Sequence, residues 1–135
     1  MPEYFILVID DDQIYRYMAN KMLAATGLTG EITACKNGAE AWKYLQEKKL
    51  KKAYLPDIIF LDINMPVMNG WEFLKKISPW MKNAGQKMLV YIVTSSQDEK
   101  DLLHADQFDC ISGYLVKPVL SSTFHDILTA AKEKL

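Results

Sequence analysis

The sequence predicts an α/β fold, a doubly wound parallel sheet with helices on both faces. Five short apolar runs recur along the chain, each followed by a stretch with helical spacing; they are residues 4–9, 31–35, 57–61, 88–93 and 112–116. Three runs, residues 5–9, 58–61 and 88–93, are almost continuously apolar and do not alternate with polar residues. Strands that are buried on both faces need such runs, so we expect parallel strands covered by helices.

Length and composition indicate one globular domain. The chain has 135 residues, of which 50% are hydrophobic and 24% charged, enough to bury one core and typical of a soluble globular protein. No internal repeat or low-complexity linker divides the sequence. We therefore expect residues 1–135 to form a single domain without a separate output domain.

Charge and hydropathy limit the classes of partner. Sixteen basic and seventeen acidic residues leave a net charge of −1, which gives no overall attraction to nucleic acid or to an anionic membrane. No apolar run approaches the roughly 20 residues of a membrane span. The sequence predicts a cytoplasmic protein that binds neither nucleic acid nor membrane directly. Cys35 and Cys110 are expected to be reduced side chains of the core.

The first and last helices are predicted from apolar stripes. Asp12, the third residue after the first run, is placed to cap the helix behind it. The stripes are Ile14, Met18, Met22 and Ala25 in the first helix and Phe124, Ile127, Leu128, Ala131 and Leu135 in the last. Helical spacing puts each set on one face, so both stripes are expected to lie in the core.

The three helices between them are predicted from capping pairs. A polar cap residue and a Glu at the third helical position can satisfy each other's free backbone N–H groups. The pairs are Asn37 with Glu40, Asn69 with Glu72, and Ser96 with Glu99. They predict that helices start after the second, third and fourth strands.

Polar residues follow four of the five predicted strands, at the point where each strand ends. They are Asp10, Asp11 and Asp12 after the first strand, Asp62 after the third, Thr94 and Ser96 at the end of the fourth, and Lys117 after the fifth. Each could be a cap or a surface residue when taken alone. The carboxyl ends of parallel strands line one crevice, however, so their coincidence predicts a functional site there.

The acids of this predicted site need a positive partner. Two carboxylates about 4 Å apart repel by roughly 4 kcal/mol at an effective dielectric of 20. One lysine does not offset three of them, and an all-oxygen set of ligands suits a hard cation. The sequence therefore predicts Mg²⁺, or Mn²⁺ in its place, whereas zinc would call for His or Cys ligands.

Such a metal site favours phosphoryl chemistry. An ionised Asp beside Mg²⁺ can attack a phosphoryl group and carry it as an acyl phosphate. Asp62 is the candidate nucleophile because it stands alone at a strand end. Thr94 can donate a hydrogen bond to a phosphoryl oxygen, and Lys117 can neutralise charge from the opposite side.

Four segments carry a family resemblance: FILVIDDDQ, IIFLDINMPVMNGWEFL, YIVTSS and GYLVKPV. In this order and spacing they resemble the signature segments of response-regulator receiver domains over essentially the whole chain. The resemblance implies a flavodoxin-like sheet of five parallel strands in the order 2-1-3-4-5, flanked by five helices. It also implies a cis peptide bond before Pro118.

The resemblance assigns the metal site and the phosphoacceptor. Asp62 would be the phosphorylated residue. Asp11 would bind Mg²⁺ directly and Asp10 through water. Asn64, two residues beyond Asp62, would offer its backbone carbonyl to the metal.

The resemblance also assigns the residues around the phosphoryl group. Thr94 and Lys117 would bind its oxygens, while the side chains of Asn64 and Ser96 would border the route of attacking water. Tyr114 matches an aromatic residue that moves inward with Thr94 when such domains switch.

The implied function is that of a stand-alone, chemotaxis-regulator-like signalling receiver and not of an enzyme. It would accept a phosphoryl group from a sensor histidine kinase or a histidine phosphotransfer protein, with Mg²⁺-dependent self-phosphorylation and autodephosphorylation. The face made by the fourth helix, fifth strand and fifth helix would bind a target protein, and we expect a monomer. The cognate kinase, the signal and the choice between diffusible switch and relay intermediate are open at this point.

Three other interpretations are weighed against this one. A haloacid-dehalogenase-like phosphatase would need a second acid two residues after its nucleophile, where Asn64 stands. A flavin-binding domain would need a phosphate-binding loop after the first strand, where three acids stand instead. A receiver that acts only as an unphosphorylated scaffold is disfavoured because every residue of the reaction site is present.

Overall fold

The computed structural model describes residues 3–84 and 87–135, and in that part of the chain five strands alternate with five helices. The strands are β1 (Tyr4–Ile9), β2 (Thr29–Cys35), β3 (Ile58–Leu61), β4 (Leu89–Thr94) and β5 (Ile111–Val116). The helices are α1 (Gln13–Ala25), α2 (Gly38–Leu50), α3 (Gly70–Ala84), α4 (Glu99–Ala105) and α5 (Ser121–Lys134). The five predicted apolar runs coincide with the five strands to within two residues at each end.

The sheet is parallel, with the strand order β2-β1-β3-β4-β5. The order implied by the family resemblance is therefore confirmed. In the register of the central strands, Ile9 pairs with Leu61 and Leu61 pairs with Ile92. Asp10 and Asp62 directly follow two paired residues, so the register itself places them side by side at the carboxyl edge of the sheet.

The core has two layers, one on each face of the sheet. Phe73 of α3 belongs to the layer that also includes buried residues of α2. Leu23 of α1 and Phe124 of α5 belong to the other layer. Phe60 of β3 contacts Phe124 edge to face, with ring centroids 5.0 Å apart. Burial of both faces explains why β3 is apolar throughout and why polar Thr94 stands only at the end of β4.

The predicted core stripe of α1 is confirmed at Met22, which packs against the second core layer, and is wrong at Ile14, Met18 and Ala25, which are exposed. Ile14 and Met18 are 72% and 53% exposed. Ala19 and Leu23 are the buried residues of this helix. The helix carries apolar residues on two neighbouring faces, and apolarity alone does not decide which face meets the sheet.

The predicted stripe of α5 is confirmed for most of its length. Phe124, Leu128 and Ala131 are fully buried, and Ile127 packs against the same layer. Leu135 is 37% exposed because it lies beyond Lys134, the last residue of the helix.

Two of the predicted capping pairs start their helices as expected. The backbone N–H of Glu72 donates to Asn69 Oδ1 at 2.9 Å, and that of Asn69 donates to Glu72 Oε1 at 3.1 Å. Asn37 caps α2 through the N–H of Glu40. Asp12 caps α1, as predicted, by accepting from the N–H of Ile14 at 2.9 Å.

The predicted start of α4 at Ser96 is wrong. The helix begins at Glu99, and its cap is Asp98, which accepts from the N–H of Lys100 at 3.0 Å. Ser96 lies two residues earlier, and its hydroxyl donates to Asp101 Oδ2 at 2.6 Å. Both Ser and Asp are good caps, and the loop after β4 is long enough to use the second of them.

Val67, in the loop between β3 and α3, carries local backbone strain. Its φ is +67°, a region that β-branched residues rarely adopt, and its side chain is 83% exposed. Val67→Gly is expected to raise the free energy of unfolding by about 1 kcal/mol, measured by equilibrium urea denaturation.

A matched control is Val116→Gly, in the regular strand β5. There, glycine loses strand packing and adds unfolded-state entropy, so stability is expected to fall by about 1 kcal/mol. Equal losses in the two variants would show that Val67 is not strained.

Candidate functional site

Three carboxylates converge at the carboxyl edge of the sheet, as the sequence predicted. Asp10 and Asp11 follow β1, and Asp62 follows β3. One carboxylate oxygen from each lies within 4.8 Å of the other two. Asp10 is 1% exposed and Asp62 is 7% exposed, whereas Asp11 faces solvent. The site is therefore a partly buried acidic cluster with one open side.

Asp10 is held from three directions. Its Oδ1 accepts from the backbone N–H of Asp12 at 2.9 Å, and its Oδ2 accepts from Lys117 Nζ at 2.7 Å. Its backbone carbonyl accepts from Arg16 Nη1 at 2.7 Å. The side chain of Asp10 is 2% exposed and that of Lys117 is 21% exposed, so this ion pair is poorly screened by solvent.

Asp62 is less well neutralised than Asp10. Its Oδ1 accepts from the backbone N–H of Ile63 at 2.8 Å, while its Oδ2 lies 3.8 Å from Lys117 Nζ. Burial raises the pKa of the Asp62 carboxyl to about 6, and the neighbouring Asp10 carboxylate contributes to the rise. The nearby ammonium of Lys117 opposes this rise without cancelling it. Asp62 is thus a carboxylate whose negative charge needs a further cation.

Thr94, Ser96 and Tyr114 form one hydrogen-bonded chain. Thr94 ends β4 and is fully buried, and its Oγ1 accepts from the N–H of Ser96 at 3.3 Å. The Tyr114 hydroxyl donates to the carbonyl of Ser96 at 3.1 Å. Burial, with Asp101 nearby, raises the pKa of this hydroxyl. Tyr114 on β5 is therefore tied to the loop that follows Thr94.

The two residues predicted to border the water route differ in their surroundings. Asn64 is exposed in the loop after β3. The Ser96 hydroxyl is occupied by its 2.6 Å bond to Asp101 of α4. The role assigned to them stays a prediction.

The donor set fits a hard divalent cation. Three carboxylates against one ammonium leave two negative charges uncompensated at a partly buried site. No His or Cys belongs to this cluster within residues 3–84 and 87–135. Asp10, Asp11 and Asp62 are the groups that would hold Mg²⁺ or Mn²⁺, and the part assigned to the Asn64 carbonyl stays a prediction.

Two residues near the site were missed by the sequence analysis. Gly70, the first residue of α3, passes so close to the chain after β3 that an added Cβ would lie 2.9 Å from Ile63 Cα. The ring of Tyr15 on α1 lies under Lys117, whose Nζ is 4.1 Å from the ring centroid. Asn69-Gly70 indicated a helix start, which is correct, but nothing local to Tyr15 indicated a partner at the other end of the chain.

Fold and site together define an α/β domain with an acidic site, suited to bind a cation, at the carboxyl edge of a parallel sheet. Residues 6–129 match the family described as "Response regulator receiver domain", and the chain belongs to this family. It is a receiver domain of the two-component signalling type. The peptide bond between Lys117 and Pro118 is cis, as the resemblance implied.

Relatives and solved structures agree with this assignment. A two-component response regulator from Cytophaga hutchinsonii is similar with a TM-score of 0.87 and 27% identity, covering 98% of this chain and 99% of that one. The chemotaxis protein CheY4 of Vibrio cholerae has a TM-score of 0.75 and 26% identity, with 98% and 99% covered. The DNA-binding transcriptional regulator NtrC of Escherichia coli K12 is 34% identical over 118 residues, which are 87% of this chain.

Two of the curated relatives are much longer than this chain. The chain spans 22% of the length of NtrC and 18% of another curated relative. What those whole proteins do is therefore not carried over. Among the described residues, no helix has the length and apolar character needed to cross a bilayer.

Proposed function

We propose that this receiver takes a phosphoryl group onto Asp62 from the phosphohistidine of a sensor kinase or phosphotransfer protein, and that the modified site changes the binding of a target protein. The observation that carries the proposal is the buried Asp62 carboxylate, within 4.8 Å of the Asp10 and Asp11 carboxylates and 3.8 Å from Lys117. An acid in these surroundings is a nucleophile once a cation offsets the repulsion.

The transfer exchanges one bond to phosphorus for another. A carboxylate oxygen of Asp62 bonds to phosphorus while the P–N bond of the donor breaks, and the imidazole nitrogen keeps that electron pair. Mg²⁺, when bound, supplies the positive charge that screens the carboxylates and the phosphoryl oxygens. Lys117 pairs with a phosphoryl oxygen, and the Thr94 hydroxyl donates to another. In dephosphorylation, a water oxygen bonds to phosphorus beside Asn64 and Ser96 while the P–O bond to Asp62 breaks. The Asp62 carboxylate keeps that electron pair, and the water protons leave with the inorganic phosphate or pass to solvent.

The surface beside the site suits a protein donor. Ile14 and Met18, which the sequence placed in the core, are exposed on α1. With Lys117 and Pro118 they line an apolar cleft of about 440 Å³. A donor protein with an apolar face around its phosphohistidine would cover this cleft while its phosphoryl group meets Asp62.

The opposite flank suits the target. Tyr114 lines a cleft of about 530 Å³ between α4 and β5. Leu103 of α4 and Leu120 before α5 are 58% and 65% exposed. A dianionic group on Asp62 would draw the Thr94 hydroxyl toward it and so alter the Ser96 loop that Tyr114 binds. A target binds one arrangement of this face better than the other, and that difference shifts the equilibrium.

Intact-mass measurement tests the proposal. After incubation with acetyl phosphate and Mg²⁺, the wild-type chain is expected to gain about 80 Da, one HPO₃ unit. Asp62→Asn removes the nucleophile and is expected to abolish the gain. Omission of Mg²⁺ should also suppress it, because the repulsion among the acids then opposes the incoming phosphoryl group.

Asp109→Asn is the matched control, since this carboxylate is 89% exposed and lies outside the site. It should label like the wild type. No mass gain in the wild type, or an unchanged gain in Asp62→Asn, would refute the proposal. Steady turnover of free phosphoesters would instead favour the phosphatase interpretation.

The remaining parts of the proposal concern how the chain works as a whole. We propose a cytoplasmic, monomeric receiver with Mg²⁺-dependent self-phosphorylation and autodephosphorylation. Partners are captured with the phosphorylated protein and with Asp62→Asn. A partner that takes the phosphoryl group onto a histidine indicates a relay intermediate, and a partner that only binds the phosphorylated form indicates a diffusible switch.

A further inference from the structure

The ring of Tyr15 contacts the charged centre through Lys117. Lys117 Nζ lies 4.1 Å from the ring centroid, closer than any other cation–ring pair among the described residues. Tyr15 belongs to the first turn of α1, and Lys117 follows the end of β5. Their contact therefore joins two elements at opposite ends of the chain, directly beside Asp62.

Lys117 must be held in place if its ammonium is to pair with a phosphoryl oxygen on Asp62. A lysine ammonium is a point charge on a flexible four-carbon chain, and it can turn toward any nearby acceptor. Here Nζ bonds to Asp10 at 2.7 Å and remains 3.8 Å from Asp62. A third contact, on the ring face, limits its movement and leaves it between the two carboxylates.

The hydroxyl of Tyr15 does not account for this contact. It is buried and has no hydrogen-bond partner within residues 3–84 and 87–135. Burial and the nearby carboxylates of Asp10 and Asp62 raise the pKa of this hydroxyl, so it stays protonated and uncharged. The ring face, whose quadrupole attracts a cation, is the part of Tyr15 that meets Lys117.

We propose that Tyr15 is a positioning residue that acts through its ring: it holds the Lys117 ammonium within reach of both Asp10 and a phosphoryl group on Asp62. The inference rests on the proposed function for the reaction that Lys117 serves. The contact itself does not depend on that function and is tested separately.

The kinetic test compares leucine with phenylalanine at position 15. Tyr15→Leu removes the ring and is expected to slow labelling of Asp62 by acetyl phosphate and Mg²⁺ by about fivefold. Tyr15→Phe keeps the ring and is expected to restore the wild-type rate. Tyr17→Leu is the matched control, because Tyr17 lies on the same helix with 64% exposure and pairs with Lys21 instead.

A spectroscopic test reports on the contact without metal or phosphoryl donor. The ε-methylene protons of Lys117, assigned by their loss in Lys117→Arg, are expected to be shifted upfield by the ring current of residue 15. The shift should persist in Tyr15→Phe and in Tyr17→Leu and disappear in Tyr15→Leu. Melting temperatures check folding, and Tyr15→Phe should melt no lower than the wild type because the lost hydroxyl has no partner.

Each outcome decides between alternatives. The inference is supported if labelling slows and the upfield shift is lost in Tyr15→Leu but not in Tyr15→Phe or Tyr17→Leu. A wild-type rate in Tyr15→Leu, or a rate in Tyr15→Phe as slow as in Tyr15→Leu, overturns it, the latter by assigning the role to the hydroxyl. If the wild-type chain takes no label at all, the proposed function fails. The shift then still decides whether Tyr15 positions Lys117.

Discussion

Replacing Asp62 with Asn is expected to stabilise the ion-free protein by about 2 kcal/mol at pH 7, allowing for partial screening of the carboxylate by solvent, although it removes the proposed phosphoacceptor. Burial and the Asp10 carboxylate raise the pKa of Asp62 from 3.8 to about 6. At pH 7 the ionised group is therefore less favourable in the folded chain than in the unfolded chain. Asn is uncharged and avoids this cost.

The same shift sets the pH dependence. Because the folded pKa of Asp62 is the higher one, the native state binds more protons than the unfolded state between pH 3.8 and about 6. Stability due to Asp62 therefore falls as the pH rises through this window. The difference between Asp62→Asn and wild type should be small at pH 4, grow through pH 6 and level off at about pH 7.

Equilibrium urea unfolding in the presence of a chelator, at pH values from 4 to 7, measures this difference. Asp109→Asn, in an 89% exposed side chain, should show a flat difference within about 0.5 kcal/mol. Added Mg²⁺ should stabilise the wild type more than Asp62→Asn, because the variant has lost one carboxylate ligand. A variant less stable than wild type at pH 7 without metal would show that burial and the Asp10 carboxylate do not disfavour the ionised form of Asp62.

Replacing Gly70 with Ala is expected to lower the free energy of unfolding by about 3 kcal/mol. An added Cβ would lie 2.9 Å from Ile63 Cα and would also overlap the backbone carbonyl of Asp62. Both neighbours are backbone atoms, so no flexible side chain can move aside. The N–H of Gly70 also donates to the Ile63 carbonyl at 2.9 Å, which ties the start of α3 to this segment.

The same variant should affect the site as well as the fold. Moving the Asp62 carbonyl re-aims its carboxylate, and a displacement of about 1 Å can lower the rate of a positioned reaction about a hundredfold. We therefore expect labelling of Asp62 to be at least about tenfold slower in Gly70→Ala, measured under conditions where the variant is folded.

Gly27→Ala is the control for Gly70→Ala. Gly27 has a φ of +72° and no atom within 4 Å of an added Cβ, so its replacement tests backbone conformation without crowding. It should cost about 1 kcal/mol and leave the labelling rate unchanged. If Gly70→Ala loses no more stability than Gly27→Ala, crowding beside Asp62 does not contribute to the free energy of unfolding.

Features encoded over short stretches were predictable from the sequence. The apolar runs predicted the strands because a strand covered on both faces has no polar positions. The Asn69–Glu72 pair predicted the start of α3 because a cap and its partner are only three residues apart. The acidic cluster was predictable in outline, since the ends of neighbouring parallel strands share one edge whatever the details of packing.

The sequence could not decide between two capping residues, or between two helix faces, that suit their position equally well. Asp98 and Ser96 are both capping residues, and only the path of the loop after β4 selects Asp98. The apolar residues of α1 cover two adjoining faces, and packing through Ala19 and Leu23 leaves Ile14 and Met18 in solvent.

The order of the elements, the parallel sheet and the group of acids, hydroxyls and lysine at its carboxyl edge can thus be read from the amino-acid sequence. The contact of Lys117 with the ring of Tyr15 and the close approach of Gly70 to the backbone of Asp62 are visible only in the folded chain. Periodicity and capping act between residues a few positions apart. Contacts between distant segments depend instead on how helices and strands pack, and no local pattern records that packing.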